Sequence, residues 1–498
     1  MKRNVRTNWI LATGIVVSCL VAIGCYAAYN HAGSDAIDAA NFRSVYPQAA
    51  GTKLDSCALC HKGGDYTSGG KTTTYGNCQY CHAVTNYGHG FPPSNVPDFL
   101  STLNPYGLDY LNHGRNAAAI TAIQDIDSDK DGYSNKVEIA ALTYPGDAKD
   151  YPSLVPAPYK VFTRQQIEAM PQHSQFLLMN ASKSTDFYAQ YTGVTVERLL
   201  KPLKLSSATG VTVLSPDGFS QYHPFQADSD PSHYNVSGNY PAANFYYNIQ
   251  ADIAKDTSDG WCDYSAPSAQ GRNNGDPIVN PNGLKLILAV KRDGQYLAPG
   301  VLGLDNKLGG EGPFRVVPPQ KVVGPPDQRD PSKTPANQNV VWPYDGKADH
   351  NQGYSSRSVT MIRVEPLPPG TTDINTYEAG WPYIDADKIV VYGAINPTEN
   401  IKDQLTKLIA DVNALSRKEF QSPLEKPDLE WKLELAKWLV TIGFHDCAYR
   451  ELEQVILKMD GCIKTDYPDR HDWLKNCDTQ KSLYYAVNEV MVLLKILD

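Results

Sequence analysis

Hydrophobic and polar positions divide the chain into an apolar head, a stretch of little periodicity, a strand-rich middle and a helical tail. After Lys2, Arg3 and Arg6, an apolar run from Trp9 to about Ala28 predicts an export signal over 1–24. The small polar residues His31 to Ala40 predict a tether over 25–40. Residues 41–150 are rich in Gly, Asn, Ser and Tyr and keep neither a strand nor a helix period, so they predict a small loop-rich module. Tyr151 to Pro158 carries three prolines and predicts a linker. Within 159–396, Gly210-Val-Thr-Val-Leu214 runs into Ser215-Pro-Asp-Gly218, and Leu284 to Val290 runs into Lys291-Arg-Asp-Gly294. Both read as strand then turn, and Lys388 to Gly393 as a late strand, giving a mainly-β domain. The proline-rich span Val316 to Trp342 predicts a surface excursion. Over 400–498, Leu405, Leu408, Ile409, Val412 and Leu415 recur at helical spacing. Trp431 to Val440, Ala448 to Met459 and Lys481 to Leu497 predict further helices of a hairpin or bundle. The predicted fold class is multidomain α+β.

Length and composition refine this division. A chain of 498 residues is too long for one core and fits two to four domains. Hydrophobic content of 42% with 20% charged residues is that of a globular protein. A formal charge of −9 argues against a nucleic-acid partner, whose phosphates call for a basic face. Residues 1–24 hold three basic and no acidic residues, so their removal takes the charge from −9 to −12. Ala22-Ile23-Gly24 fits a small-residue cleavage site, and Cys25 directly after it resembles the lipidation cysteine of a bacterial lipoprotein. Cleavage with lipidation, plain cleavage and a retained membrane anchor are the three outcomes, and export to the periplasm or cell surface holds under all of them.

The cysteines divide in the same way. Two CxxCH motifs, Cys57-Ala-Leu-Cys60-His61 and Cys78-Gln-Tyr-Cys81-His82, use four of the ten. Cys19 and Cys25 lie in or beside the signal, leaving Cys262, Cys447, Cys462 and Cys477, an even number in an oxidising compartment. Cys462 with Cys477 is the expected short clip around Pro468, and Cys262 with Cys447 the leftover pair.

CxxCH carries chemistry because two thiols separated by two residues can each bond a vinyl group of one haem. The adjacent histidine, His61 or His82, then lies under the iron as proximal ligand. Two haem c groups are therefore expected, close together, since the motifs start 21 residues apart. Residues 41–150 hold four histidines and no methionine, so His89 and His113 are the spare candidates for the sixth positions. A five-coordinate iron, or ligation by His31, Met170 or Met179, is the competing scheme.

A second motif follows. Asp127-Ser-Asp129-Lys-Asp131-Gly132-Tyr133-Ser-Asn135-Lys-Val-Glu138 satisfies D-x-D-x-D-G-x5-E, the loop of an EF-hand. It predicts calcium held by the carboxylates of Asp127, Asp129, Asp131 and Glu138 and the carbonyl of Tyr133, with Asn135 direct or through water. Ala117 to Ile123 and Lys136 to Leu142 are the expected flanking helices.

Tyr46 to Asp147, with LDSCALCH, LNPYG at Leu103 to Gly107, DSDKDGYSN and YPGD, resembles small haem c modules of metal-respiring anaerobic bacteria. Gly309-Gly310-Glu311-Gly312-Pro313-Phe314-Arg315 resembles the signature of GEGP-motif diheme cytochromes. Tyr191 to Thr195, Ser215 to Phe219 and Ile287 to Val290 are distantly similar to the molybdopterin domain of sulfite oxidases. That family's molybdenum-binding cysteine has no counterpart, since no cysteine lies between Cys81 and Cys262, and Arg315 reads equally as structural or anion-binding. Asp460 to Cys477 resembles helical-hairpin modules on bacterial surface proteins. The resemblance implies an exported electron carrier whose partners are other redox proteins or cytochromes, with membrane contact through a lipid anchor. An oxidoreductase whose β domain binds a substrate and drains electrons to the haems is a second class, and a surface binding or redox-sensing protein a third. No arrangement of a nucleophile, base or phosphate loop stands out.

Overall fold

The computed structural model describes residues 33–50, 52–68, 71–75, 99–181, 186–205, 207–216, 219–230, 233–240, 243–245, 262–273, 275–302, 308–322, 349–374, 387–465 and 467–497. The fold is mixed α and β, with several sheets, a helical C-terminal region and, among the described residues, no closed barrel. Among the described residues no helix is long and apolar enough to cross a membrane. The export signal and Cys25 lie outside those residues.

The N-terminal module begins with α1 (Gly33–Val45), where the sequence predicts a tether. Ala39 and Phe42, three apart on one face, are buried, and this apolar stripe is what holds the segment as a helix. A two-stranded antiparallel hairpin, β1 (Gly64–Ser68) and β2 (Lys71–Tyr75), follows the first CxxCH motif. Three short helices complete the module: α2 (Pro105–Asn112), α3 (Ala117–Ala122) and α4 (Asn135–Ala141). The last two flank the acidic loop as expected. Phe42, Leu54, Leu59, Tyr106, Tyr110, Ile120, Ile123 and Ile139 form one small core.

The predicted linker is partly a strand. β3 (Val155–Pro156) pairs in parallel with β18 (Thr371–Thr372) of the next domain, so the connection is tied down by ladder bonds. Lys53 of the N-terminal module reinforces the joint: its buried ammonium donates to Asp150 Oδ2 at 2.6 Å and to Thr372 Oγ1 at 3.3 Å. Thr372 in turn donates to the other Asp150 oxygen.

The middle of the chain packs two mixed sheets. One has the order β4 (Tyr159–Thr163), β19 (Lys388–Gly393), β17 (Met361–Glu365), β7 (Gly210–Leu214), β8 (Ser220–Pro224). The other centres on β6 (Asp186–Thr195), flanked by β5 (His173–Met179), β10 (Cys262–Asp263) and β12 (Ile287–Arg292). β12 also pairs with β13 (Gln295–Tyr296) and β16 (Arg315–Val317). Two small antiparallel pairs stand outside them, β9 (Ala243–Phe245) with β11 (Pro277–Val279), and β14 (Val301–Leu302) with β15 (Leu308–Gly309). Val211, Val213, Ile362, Val364, Ile389 and Val391 alternate onto one face of the first sheet and meet Val194, Leu288, Val290 and Val316 of the second. Their outward neighbours Leu214, Met361, Val390 and Tyr392 are buried as well. Cover on both faces explains why these strands are continuously apolar instead of alternating. Helices α5 (Arg164–Ala169) and α6 (Val196–Leu200) cap strand ends.

β8 carries His223, fully buried, with its Nδ1 3.0 Å from the Tyr234 carbonyl and its Nε2 unpartnered. Burial pushes this imidazole down to about 3. The unfolded chain then binds the extra proton, so the stabilising contribution is complete above the ordinary histidine range near 6.5 and is lost as pH falls toward 3. His223→Gln is expected to flatten the acid limb of the unfolding midpoint between pH 6.5 and 3, measured by calorimetry. An unchanged acid limb would contradict this assignment.

The tail is a helical array of α7 (Thr398–Ala414), α8 (Glu425–Thr441), α9 (His445–Ile456), α10 (Gly461–Thr465) and α11 (Cys477–Lys495). Leu405, Leu408, Leu433, Leu452, Val487 and Leu494 meet in its core. Cys462 and Cys477 form the expected clip, 15 residues apart. The expected Cys262–Cys447 bridge is not made. Cys262 is buried on β10 among Phe176, Tyr188 and Tyr264, whereas Cys447 is exposed on α9.

Arg315, of GEGPFR, is also placed. Its guanidinium is buried and directed to Glu311 at 2.7 Å, Ser355 at 2.8 Å and Tyr191 at 2.9 Å, and Arg292 takes the other Glu311 oxygen at 2.7 Å. The motif is a two-arginine clamp on one half-buried glutamate, with Arg315 alone buried, and in it Arg315 serves a structural part.

Candidate haem and cation sites

The first CxxCH motif forms a single 3-10 turn, Cys57–Leu59, closed by the Cys60 amide donating to the Cys57 carbonyl at 3.2 Å. The turn also takes the His61 amide onto the Cys57 carbonyl, at 2.9 Å. It is held by Asn104, the N-cap of α2, which stands before Pro105 in the favoured asparagine-then-proline order for a helix start. The Asn104 carboxamide oxygen accepts from Gly107 N at 2.8 Å, while its NH2 donates to the carbonyls of Ala58 at 3.2 Å and Leu59 at 3.0 Å. The Asn104 amide also donates to the Cys60 carbonyl at 2.9 Å. A side chain at Gly107 would strike that carbonyl, and one at Gly146 would strike the Asn104 carboxamide. LNPYG and YPGD therefore converge on one asparagine whose task is to fix the CxxCH turn.

Above the turn lies a cavity of about 220 Å³, bordered by Cys57, Cys60 and His61 and walled by apolar side chains including Phe42, Leu54, Leu103 and Ile120. His61 is oriented by its Nδ1, 2.9 Å from the Thr102 hydroxyl, so Nε2 is the nitrogen an iron would take. Tyr106 also borders the cavity; its buried hydroxyl has no partner, and burial first, then the neighbouring Cys60, Tyr46 and Tyr110, hold it well above the usual tyrosine range. A neutral donor left without an acceptor suits a group that brings carboxylates with it. Two thiols in one turn, an oriented imidazole, apolar walls and this spare donor fit covalently held haem.

Of the other predicted haem residues, Cys78, Cys81, His82 and His89 lie outside the described residues. His113 is not brought to the first cavity. It caps α2, exposed, with Nδ1 2.8 Å from the Asp109 carbonyl. Helical pairing with its own turn fixes it on the far end of α2 from Asn104. Sequence reasoning did not single out Thr102 or Asn104 as site residues. An asparagine before proline is a helix-start signal that could have found Asn104; nothing in the sequence could have found Thr102.

The acidic loop is the second constellation. Asp127, Asp129 and Asp131 bring carboxylate oxygens within 4.8 Å of one another. Asp127 Oδ1 accepts from Lys130 N at 2.7 Å and Oδ2 from Gly132 N at 3.0 Å, curling the loop about it. Gly132 sits at φ 103°, the turn that favours glycine. Glu138, from the first turn of α4, is fully buried, and neither of its oxygens has a partner. One buried oxygen each of Asp129 and Asp131 is equally unpartnered. Burial first, then the negative charges of Asp129, Asp131 and Asp127, push the Glu138 carboxyl up to about 9, and burial with Asp131 pushes Asp129 up to about 6. Four carboxylates so placed are costly unless a cation neutralises them, and hard oxygens at these spacings suit calcium.

Asn135 departs from expectation. Its carboxamide turns inward, donating to the Ile123 carbonyl at 2.8 Å and to Ser128 Oγ at 3.0 Å, so it braces the loop. Tyr133 stacks on Tyr151 with ring centres 6.5 Å apart. A second acidic group, Asp460, Asp469 and Asp472, lies beside the disulfide, but its oxygens are taken by Lys464 and by backbone amides of the same loop. Compared with models of known families, with curated proteins and with solved structures, the chain matches none of them, so the CxxCH turn and the acidic loop carry the functional reading on their own geometry.

Proposed function

We propose that this chain is an exported c-type cytochrome carrying two haems and calcium, which relays electrons between redox partners in the periplasm or at the cell surface, held to the membrane by a lipid on Cys25. The observation that carries the reading is the first CxxCH turn, clamped by Asn104 beneath an apolar cavity with His61 oriented by Thr102. Bound haem supplies a reversible one-electron iron couple. The residues around it exclude water through Phe42, Leu54 and Leu103, hold the proximal ring, and offer the Tyr106 hydroxyl as a donor. Acidic net charge suits docking to basic faces of redox partners. The GEGP clamp and the sheets serve as scaffold, tied to the haem module through Lys53, Asp150 and Thr372.

The test is expression in a host with haem-attachment machinery. The Cys57→Ala/Cys60→Ala variant should lose one of two haems by intact mass, and the matching change at Cys78 and Cys81 the other. Equal haem content in both variants and the parent would overturn the reading.

A further inference from the structure

We propose that calcium in the acidic loop tightens the crevice of the first haem, with α2 as the lever. This rests on the haem and calcium readings above and adds a coupling between the two sites. The link is a continuous set of hydrogen bonds. Asn135, at the start of α4, is fully buried and grips the end of α3 through the Ile123 carbonyl. It also holds Ser128 Oγ at 3.0 Å, and Ser128 donates that hydroxyl to Asp109 Oδ2 at 2.7 Å. Asp109 lies midway along α2, five residues from the Asn104 cap that holds the haem turn. Helix α2 thus grips the acidic loop at its middle and the CxxCH motif at its N-terminus. Ile123 and Ile139, flanking the loop, share a core with Leu59 and Tyr106.

The second observation is Glu138. With both oxygens buried and unpartnered, it stands one residue before Ile139 and one turn into α4. Drawing Glu138 onto a cation fixes α4 against the loop, and with it Asn135, Ser128 and Asp109. Extracellular calcium modules bind at about 0.1–1 mM, concentrations met outside the cytoplasm. The crevice would then reach its tight form only after export, where haem is attached and used.

The test is hydrogen exchange by mass spectrometry on the haem-loaded full chain, with and without calcium, beside calcium titration calorimetry. Calcium should slow exchange in 127–138 and also in 103–112 and 57–62, and shift the haem spectrum with the same calcium midpoint. Asp109→Ala removes the acceptor on α2 and leaves the four carboxylates and the Asn135–Ser128 brace in place. It should keep calcium affinity and local protection while losing the remote protection and the spectral shift. Asp109→Asn, which keeps an acceptor oxygen, should restore both. Calcium binding that protects 127–138 alone in the parent would overturn the coupling and leave the calcium reading standing. Remote protection that survives in Asp109→Ala would overturn the route through α2. No heat of calcium binding at about millimolar calcium would instead remove the calcium reading, and the coupling with it.

Discussion

Replacing Asn104 with Ala is expected to destabilise the N-terminal module by about 3–5 kcal/mol, since two buried backbone partners and one half-buried one are lost at once. Ala58 and Leu59 would each lose a donor to their carbonyls, and Gly107 N the acceptor that caps α2. Each stranded group carries its own desolvation cost, which exceeds the net worth of an ordinary hydrogen bond. Asn104→Asp should recover little of this. It keeps an acceptor for Gly107 but sets a carboxylate against two carbonyl oxygens. The check is urea unfolding followed by visible circular dichroism of the haem, with α-helix loss in the tail monitored separately. Loss confined to the module, at that magnitude, is the expected outcome; a midpoint within about 0.5 kcal/mol of the parent would show that the turn is held by something else.

Glu138→Gln is expected to weaken calcium binding on the order of 100-fold, because the loop's last position would no longer offer a carboxylate to the ion. The substitution isolates the metal term well. Burial and three neighbouring aspartates already keep the Glu138 proton on up to about 9, so in the metal-free protein at neutral pH a neutral amide replaces a neutral acid of the same shape. The metal-free variant should therefore unfold at the same midpoint as the metal-free parent, while the parent alone gains stability when calcium is added. Titration calorimetry with thermal unfolding reads both. Equal calcium affinities in parent and variant would place the cation, if any, away from Glu138.

Much of this was legible in the sequence for a local reason. CxxCH and D-x-D-x-D-G-x5-E place all their chemistry within five and twelve residues, so spacing alone defines the geometry. Leu405, Leu408 and Val412 keep a helix period, and Gly210 to Leu214 is too short and β-branched to be much else. The elements missed depend on partners far along the chain. Val155 becomes strand only because Thr371 lies beside it, and the tether from Gly33 onward becomes helix only because Phe42 finds a core with Tyr106 and Ile120. The Cys262–Cys447 pairing rested on counting alone; burial of Cys262 in the sheet region and exposure of Cys447 on α9 separate them. Asn135 illustrates the limit within a motif, since its position reads as a ligand while its carboxamide serves the loop's own brace.

The central claim is that both CxxCH motifs carry haem, and a pyridine haemochrome assay on the purified, exported full chain tests it most directly. The expected result is a c-type α band with iron at two haems per chain, retained after acid-acetone extraction. An extractable haem, or none, would contradict the account.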